Sequence, residues 1–264
     1  MSSRVHEWAR SFRRERSTVQ ALAEWLVGAT ETDSRDSADS DVAESSKQVA
    51  DLTRQEEIKL VQRLFLTSAS DAPRAVLFAG VEDDNGCAHV CLRVSETLAR
   101  LTHRSVCVVD ADVRAPKLHG LVGRARDLVG AGVGEGLAAS MTSPVATSAF
   151  ARPLAPDNLW LVSAETATEV DPFENVDRMR ACLQELGARF EHVVISTSTI
   201  DFGAESMALS RFVDGVVLVL KAHVTRREIV RNVLARLEDL HIPLLGVVLN
   251  DRTFPIPEAV YKLI

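Results

Sequence analysis

The sequence has little cysteine and no cysteine pair at the spacing of metal or redox motifs. Its four cysteines, Cys87, Cys91, Cys107 and Cys182, include no C-x-x-C, and two of them lie in apolar contexts. We therefore expect buried or half-buried thiols rather than disulfides or a metal site. Such thiols suit a reducing cytoplasm.

Long apolar runs and excess positive charge are also missing. No stretch of about 18 apolar residues occurs, and the basic N-terminus has no apolar signal core, so we expect neither a spanning helix nor secretion. The net charge of −7 and the pI near 5.6 give no electrostatic basis for binding nucleic acid. With 264 residues, of which 46% are hydrophobic, the chain has enough material for one sizeable core with an appended segment.

The chain divides into three parts. Residues 1–28 predict an amphipathic helix, with apolar side chains such as Trp8 and Phe12 at helical spacing and arginines crowding its first half. Such a helix docks on a partner, lies on an anionic membrane surface, or packs on its own domain. Residues 29–49 are rich in Ser and Asp and predict a flexible acidic linker. Residues 50–264 predict the globular α/β domain.

A βαβ unit lies at the centre of this domain. It consists of an apolar strand, Arg74–Gly80, a short loop, Val81–Gly86, a helix from Cys87 and a second apolar strand, Ser105–Asp112. In nucleotide-binding proteins, a unit of this kind holds phosphates in the loop.

Apolar strands and helices continue to alternate after this unit. Unbroken apolar runs are typical of a sheet that is covered on both faces. The sequence therefore predicts a doubly wound, mostly parallel α/β sheet of roughly six strands. The further predicted elements are strands Leu159–Ala164, His192–Thr199, Gly215–Lys221 and Leu244–Leu249, with helices near 174–188, 205–212 and 225–240.

The loop of the βαβ unit has the wrong chemistry for phosphate. A phosphate loop reads G-x-x-x-x-G-K-[ST], where Lys balances the phosphate charge and Ser or Thr holds Mg²⁺. Here Gly86 is present, but Cys87 and Ala88 stand at the Lys and Ser/Thr positions. Positions 82–84 carry three carboxylates, which repel a triphosphate.

Several stretches resemble the bacterial tyrosine kinases (BY-kinases) of capsule and exopolysaccharide assembly. Met1–Glu7 and Glu56–Arg63 are similar to the leader and pre-domain helix of the kinases encoded with exosortase-type polysaccharide systems. The run around Asp110 and Asp112 is similar to the second acidic motif of the BY-kinases. The stretches that match within the domain are Val108–His119, Phe190–Ser196, Val213–Lys221 with Thr225–Arg227, and Leu245–Asn250.

The resemblance implies a P-loop fold related to the Min and Par ATPases. It also implies work in the cytoplasm, at the inner face of the plasma membrane, beside a polysaccharide co-polymerase. In the family, the first motif's Lys and Ser/Thr bind phosphate and Mg²⁺, the third motif's Asp helps to organise the metal, and clustered tyrosines receive phosphate. Here those positions are Cys87, Ala88 and Ser196, and Tyr261 is the single tyrosine. The resemblance therefore indicates a degenerate, pseudokinase-like member, because phosphoryl transfer depends on positioning and electrostatics.

Asp110 and Asp112 have two interpretations. Carboxylates at the end of a parallel strand lie where such sheets bind ligands, and in the family they serve Mg²⁺ and the phosphorylated hydroxyl. Alternatively, they cap the following turn or pair with Arg114, which is the interpretation that we favour. Cys87 likewise has two interpretations. It is a packed thiol, or a reactive thiol whose pKa is lowered by the helix N-terminus.

The pre-domain helix bears on assembly. In the family, a Glu-x-x-Arg-x-x-Arg run in this helix supports ring-like self-association. Glu56 and Lys59 keep part of that charge pattern, whereas Gln62 replaces the last Arg. The candidate interaction residues are Trp8, Phe12, Glu56, Lys59, Arg114 and Tyr261.

We expect a non-catalytic scaffold or regulator of exopolysaccharide assembly that needs no cofactor. Its expected partner is a membrane co-polymerase or a kinase paralogue, with self-association and peripheral membrane contact as further interactions. One alternative is a weakly active tyrosine autokinase or ATPase that uses ATP, Mg²⁺, Asp110 and Asp112. Another is a membrane-surface regulator of the Min and Par type that is targeted by residues 1–28.

Overall fold

A seven-stranded sheet forms the centre of the structure, a computed structural model that describes residues 53–66, 72–82, 84–112, 116–125, 137, 146–163, 176–197 and 209–251. The strand order is β3-β4-β2-β5-β1-β6-β7. All neighbouring strands are parallel except the β3–β4 pair. The strands are β1 Ala75–Gly80, β2 Val106–Asp110, β3 Arg152–Leu154, β4 Leu159–Val162, β5 His192–Thr197, β6 Gly215–Lys221 and β7 Leu244–Asn250.

Described helices lie between several of the strands, because parallel strands need crossover connections. Residues 53–65 are helical and form α1, which precedes the sheet. The other helices are α2 Cys87–Thr102, α3 Leu118–Ala125, α4 Val176–Arg189, α5 Arg227–Asp239 and a 3₁₀ helix Thr147–Phe150.

The central strands are buried because both faces of the sheet are covered there. Every residue of β2 and β5 is buried, as are the first six residues of β6. These strands read as the continuous apolar runs that a doubly covered parallel sheet requires. The prediction of a doubly wound, mostly parallel sheet is therefore confirmed.

Two features of the sheet differ from the prediction. β3, which was not predicted, pairs antiparallel with β4 through Arg152–Leu154, a stretch of three residues that includes Pro153. Pro is tolerated there because β3 is an edge strand. The predicted second strand was also too long: β2 ends at Asp110, because the Asp112 N–H turns back to donate to the Asp110 side chain at 3.2 Å.

Helix α1 packs on the domain through one apolar side. Val61, Leu64 and Phe65 are buried, and the Phe65 ring meets the His192 ring edge-on at 5.4 Å between centroids. The Arg93 guanidinium of α2 also pairs with Glu57 at 2.5 Å. These contacts fix α1 against the start of β5 and the side of α2.

Several predictions fall outside the described residues. They are the helix over residues 1–28 with Trp8 and Phe12, the linker over 29–49, and the candidate contacts Arg114 and Tyr261. Within the described part of the chain, none of the helices has the length and apolar character that crossing a membrane demands.

Candidate functional site

A cleft of about 260 Å³ opens at the carboxyl ends of β1, β2 and β5. Ligands of open parallel sheets bind at this edge. The loop after β1, the first turn of α2 and the start of α3 form its walls. The residues that line it are Asp84, Asn85, Gly86, Cys87, Ala88, His89, Asp110, Asp112, Lys117, Gly120, Leu121 and Ser196.

The loop that leads into α2 caps the helix with its own side chain. Asn85 is buried, with 2% of its surface exposed. Its Oδ1 accepts a hydrogen bond of 2.8 Å from the Cys87 N–H, which is the first amide of α2, and its Nδ2 donates to the Glu82 carbonyl. Gly86 makes this turn with a φ of 76°, a left-handed conformation that glycine adopts without strain.

The ends of β6 and β7 hold this loop in place. Asn250 Nδ2 donates to the Asn85 carbonyl at 3.0 Å, and Lys221 Nζ donates to the Asp84 carbonyl at 3.3 Å. The Lys221 ammonium also lies 3.5 Å from the Asp84 carboxylate. A Cβ at position 86 would overlap the Asn250 side chain, so glycine is also required by close packing.

Cys87 does not reach into the cleft as a charged group. Its thiol is buried, and the Ser196 side chain and the backbone of Thr197 and Gly80 lie within hydrogen-bonding reach of it. Burial raises the pKa of the Cys87 thiol to about 12, and the hydrogen bonds offset only part of that effect. The alternative of a reactive, low-pKa Cys87 is therefore wrong. All four cysteines are buried, which confirms that prediction.

Asp110 organises the next turn of the chain. Its Oδ2 accepts hydrogen bonds from the Lys117 and Leu118 N–H groups at 3.0 and 2.9 Å, and its Oδ1 accepts from the Asp112 N–H. Asp110 thus caps the N-terminus of α3. Burial raises its pKa from 3.8 to about 6, against the lowering effect of the three N–H donors. The hydrogen bonds match the interpretation of Asp110 as a cap.

The charge of the cleft is mainly negative. Asp84, Asp110 and Asp112 line it, while Lys117 is the cation among its described lining residues. Within the described ranges, no group of three His, Cys, Asp or Glu side chains is arranged to hold a metal ion.

These residues do not fit ATP and Mg²⁺, the ligands that the resemblance implies. The first amide of α2 is already bonded to Asn85, and no ammonium extends from position 87. Ala88 offers no hydroxyl for a metal. Ser196 is neutral, and its side chain lies beside the Cys87 thiol. Phosphate binding at a helix N-terminus needs amides that are free to donate and a favourable local charge.

The structure brings Gly86, Cys87, Ala88, Ser196 and the two aspartates Asp110 and Asp112 together in one cleft. Glu56 and Lys59 lie on α1 and do not line it. Their side chains pair with each other at 2.7 Å and are 72% and 55% exposed.

Four residues at or beside the cleft were not predicted from the sequence: Asn85, Lys117, Lys221 and Asn250. Asn85 precedes Gly86, and Asn-Gly is a strong turn signal. Lys221 and Asn250 end two neighbouring strands, β6 and β7, so the rule that sites lie at carboxyl ends also covers them. Lys117 lies within the matched run Val108–His119, but it was not singled out as a site residue.

No protein-family profile and no curated protein matches the chain. Solved structures are similar to it in fold. The VpsO kinase domain has a TM-score of 0.66 and 20% identity over 79% of this chain and 98% of that one. The kinase domain of the Escherichia coli tyrosine kinase ETK has a TM-score of 0.59 and 17% identity, covering 70% of this chain and 71% of that chain.

The septum site-determining protein MinD of Pyrococcus horikoshii, a complex with Mg-ADP, is also similar. It has a TM-score of 0.57 and 16% identity over 72% of this chain and 77% of that one. At such identities the likeness concerns the fold. The chain therefore has the P-loop fold of the Min and Par type, as predicted.

Proposed function

We propose that this protein is a non-catalytic scaffold or regulator of exopolysaccharide or capsule assembly. The observation that carries the proposal is the contact between Cys87 and Ser196. These are the two positions at which the resemblance expects a phosphate-binding Lys and a metal-organising Asp. A buried, neutral thiol–hydroxyl pair supplies neither the charge nor the metal ligand that phosphoryl transfer needs.

The pathway is supported by two observations of different kinds. The fold is similar to that of the VpsO and ETK kinase domains. The run Val108–His119 resembles the second acidic motif of BY-kinases, and its Asp110 serves here as a cap of α3. A motif carboxylate that serves as a structural cap favours a role in binding over a role in catalysis.

The proposed partner is the cytoplasmic part of a membrane polysaccharide co-polymerase, or a catalytically active kinase paralogue. The site of action is the inner face of the plasma membrane. The candidate contacts are residues 1–28 with Trp8 and Phe12, the exposed pair Glu56 and Lys59 on α1, and Arg114 and Tyr261.

The test is a titration of the full chain with ATP and ADP, with and without Mg²⁺, followed by calorimetry and thermal shift. A ligand at 100 times its dissociation constant stabilises a fold by about 2.7 kcal/mol, so binding is readily detected. We expect neither heat nor shift up to millimolar nucleotide. Mg²⁺-dependent binding that is lost in Asp110→Ala would instead support a weakly active ATPase or autokinase.

A second experiment addresses the membrane. The full chain and a chain without residues 1–28 are mixed with vesicles that contain anionic lipid, and co-sedimentation is measured. A scaffold that depends on a protein partner stays in solution, whereas a membrane-surface regulator of the Min and Par type sediments only when residues 1–28 are present.

A further inference from the structure

We infer that the Asn85 carboxamide blocks phosphate binding at the start of α2, and that Asn250 holds Asn85 in that position. The inference rests on the proposed function, because it states how the same site excludes phosphate. Loss of the Lys and Ser/Thr side chains removes attraction for phosphate. Asn85 adds a second effect, because its Oδ1 accepts the hydrogen bond that the Cys87 N–H would otherwise donate to a phosphate oxygen.

A hydrogen bond from the first amide of α2 fixes the Asn85 side chain. The helix N-terminus carries amides without intrahelical partners and a partial positive charge. Asn85 Oδ1 lies 2.8 Å from the Cys87 N and is buried with the rest of the side chain. The neutral Asn85 Oδ1 therefore occupies the position at which the helix N-terminus would stabilise an anion most strongly.

Asn85 is also held through its side-chain amide and its backbone carbonyl. Its Nδ2 donates to the Glu82 carbonyl, and its own carbonyl accepts from Asn250 Nδ2 at 3.0 Å. Gly86 lies against the Asn250 side chain with no room for a Cβ. Swinging Asn85 away would leave buried polar groups without partners, which costs about 1–3 kcal/mol for each group.

The charge around the loop is balanced by the protein itself. Among the described residues, the Lys221 ammonium contacts the loop, donating to the Asp84 carbonyl and lying 3.5 Å from the Asp84 carboxylate and 3.9 Å from the Asp251 carboxylate. Its charge is therefore shared with carboxylates of the protein. The described part of the loop therefore has no local excess of positive charge.

The experiment compares Asn85→Gly with a matched control, Asn158→Gly. Asn158 donates to the Ala99 and Arg104 carbonyls beside the other end of α2, at 2.8 and 2.7 Å. Each variant thus loses one carboxamide at one end of the same helix. Both variants and the wild-type chain are titrated with inorganic phosphate and pyrophosphate at constant ionic strength, and thermal shift and calorimetry are recorded.

We expect Asn85→Gly to bind pyrophosphate at least tenfold more tightly than the wild type does, with saturation, and Asn158→Gly to behave like the wild type. A folded Asn85→Gly chain that binds no better than Asn158→Gly overturns the inference. That result would leave the proposed function intact. The proposed function fails if the wild-type chain binds nucleotide.

A second measurement needs no Asn85 variant. Amide hydrogen exchange of the wild-type chain reports on the Cys87 N–H directly. We expect this amide to exchange at least tenfold more slowly than an unstructured peptide amide, and to lose protection in Asn250→Ala. Exchange of the Cys87 amide at the unstructured rate in the wild type overturns the inference, whatever the fate of the Asn85 variants.

Discussion

The Cys87 thiol, at the first residue of α2, lies buried beside the buried Ser196 side chain of β5. The resemblance places a Lys at the first position and an Asp at the second. Two opposite charges are thus replaced together by two neutral groups that contact each other. A charge introduced at one of these two positions alone would be buried without a counterpart, which is strongly destabilising.

Ser196→Asp tests this dependence. Ser196 is buried and pairs in register with Asp110 of β2, so the variant places two carboxylates side by side in a region of low dielectric. We expect a loss of about 2–4 kcal/mol in the free energy of unfolding at pH 8, measured by urea denaturation.

The matched control is Ser196→Asn, which has nearly the same shape and no charge. It should lose clearly less stability than Ser196→Asp at pH 8, and the difference should shrink at pH 5 as a carboxyl takes up a proton. Adding Cys87→Lys to Ser196→Asp should recover part of the loss, as a double-mutant cycle will show. Equal stability of the two Ser196 variants at pH 8 contradicts the argument.

The buried thiols lead to a second prediction. The pKa of Cys87 is raised to about 12, and burial also raises the pKa values of Cys91 and Cys107. Since the thiolate is the reactive form, native protein should react with a disulfide reagent at pH 8 far more slowly than protein unfolded in urea. Rapid labelling of one thiol in the native state would show that Cys87 or another cysteine is accessible.

The sheet was predictable because its central strands are continuous apolar runs in the sequence. His192–Thr197 and Gly215–Lys221 contain three and five consecutive valine, isoleucine or leucine residues, and such runs require cover on both faces. β3 was not predictable in this way. Three residues show neither a run nor an alternation, and β3 exists because Arg152–Leu154 pairs with β4 across a short connection.

The site residues that lie next to Gly86 along the chain were predictable from the sequence. Cys87 and Ala88 follow Gly86 directly, so their chemistry can be compared with that of a phosphate loop. The Asn-Gly pair marks Asn85 as a turn residue but does not show that its side chain is buried. Its burial is set partly by Asn250, which lies 165 residues further along the chain, so it becomes evident only when the order of the strands is known.

The close approach of Gly86 and Asn250 gives a third prediction. Gly86→Ala places a Cβ at a φ of 76° and against the Asn250 side chain. The left-handed conformation alone costs about 1–2 kcal/mol, and the overlap adds to this. We expect a loss of about 2–3 kcal/mol in the free energy of unfolding, measured by urea denaturation.

Asn250→Ala in the same chain provides the control. It removes the overlapping atoms and leaves the strained φ, so the double variant should lose less than the sum of the two single losses. Gly120, on α3, has nothing within 4 Å of the place that a Cβ would occupy, and Gly120→Ala should leave stability unchanged or raise it. Strict additivity of Gly86→Ala and Asn250→Ala contradicts the proposed overlap.

Asp110 gives a prediction about pH. Its pKa is raised from 3.8 to about 6 in the folded state, mainly by burial. Between these two values the folded state binds more protons at this carboxyl than the unfolded state does. The contribution of Asp110 to stability is therefore greatest below about pH 4, falls as the pH rises to about 6, and is constant above that. The total change is on the order of 3 kcal/mol.

Asp110→Asn removes this titration, so the free energy of unfolding should depend less on pH between 4 and 6 than it does in the wild type. Asp157→Asn, at an exposed turn, is the matched control and should keep the wild-type dependence. The variant should also be less stable, since an amide cannot accept from all three N–H groups that Asp110 binds, and each unpaired buried group costs about 1–3 kcal/mol. An unchanged pH dependence in Asp110→Asn would place the titration on another group, and the Asp110 carboxylate would then remain ionised as a plain cap of α3.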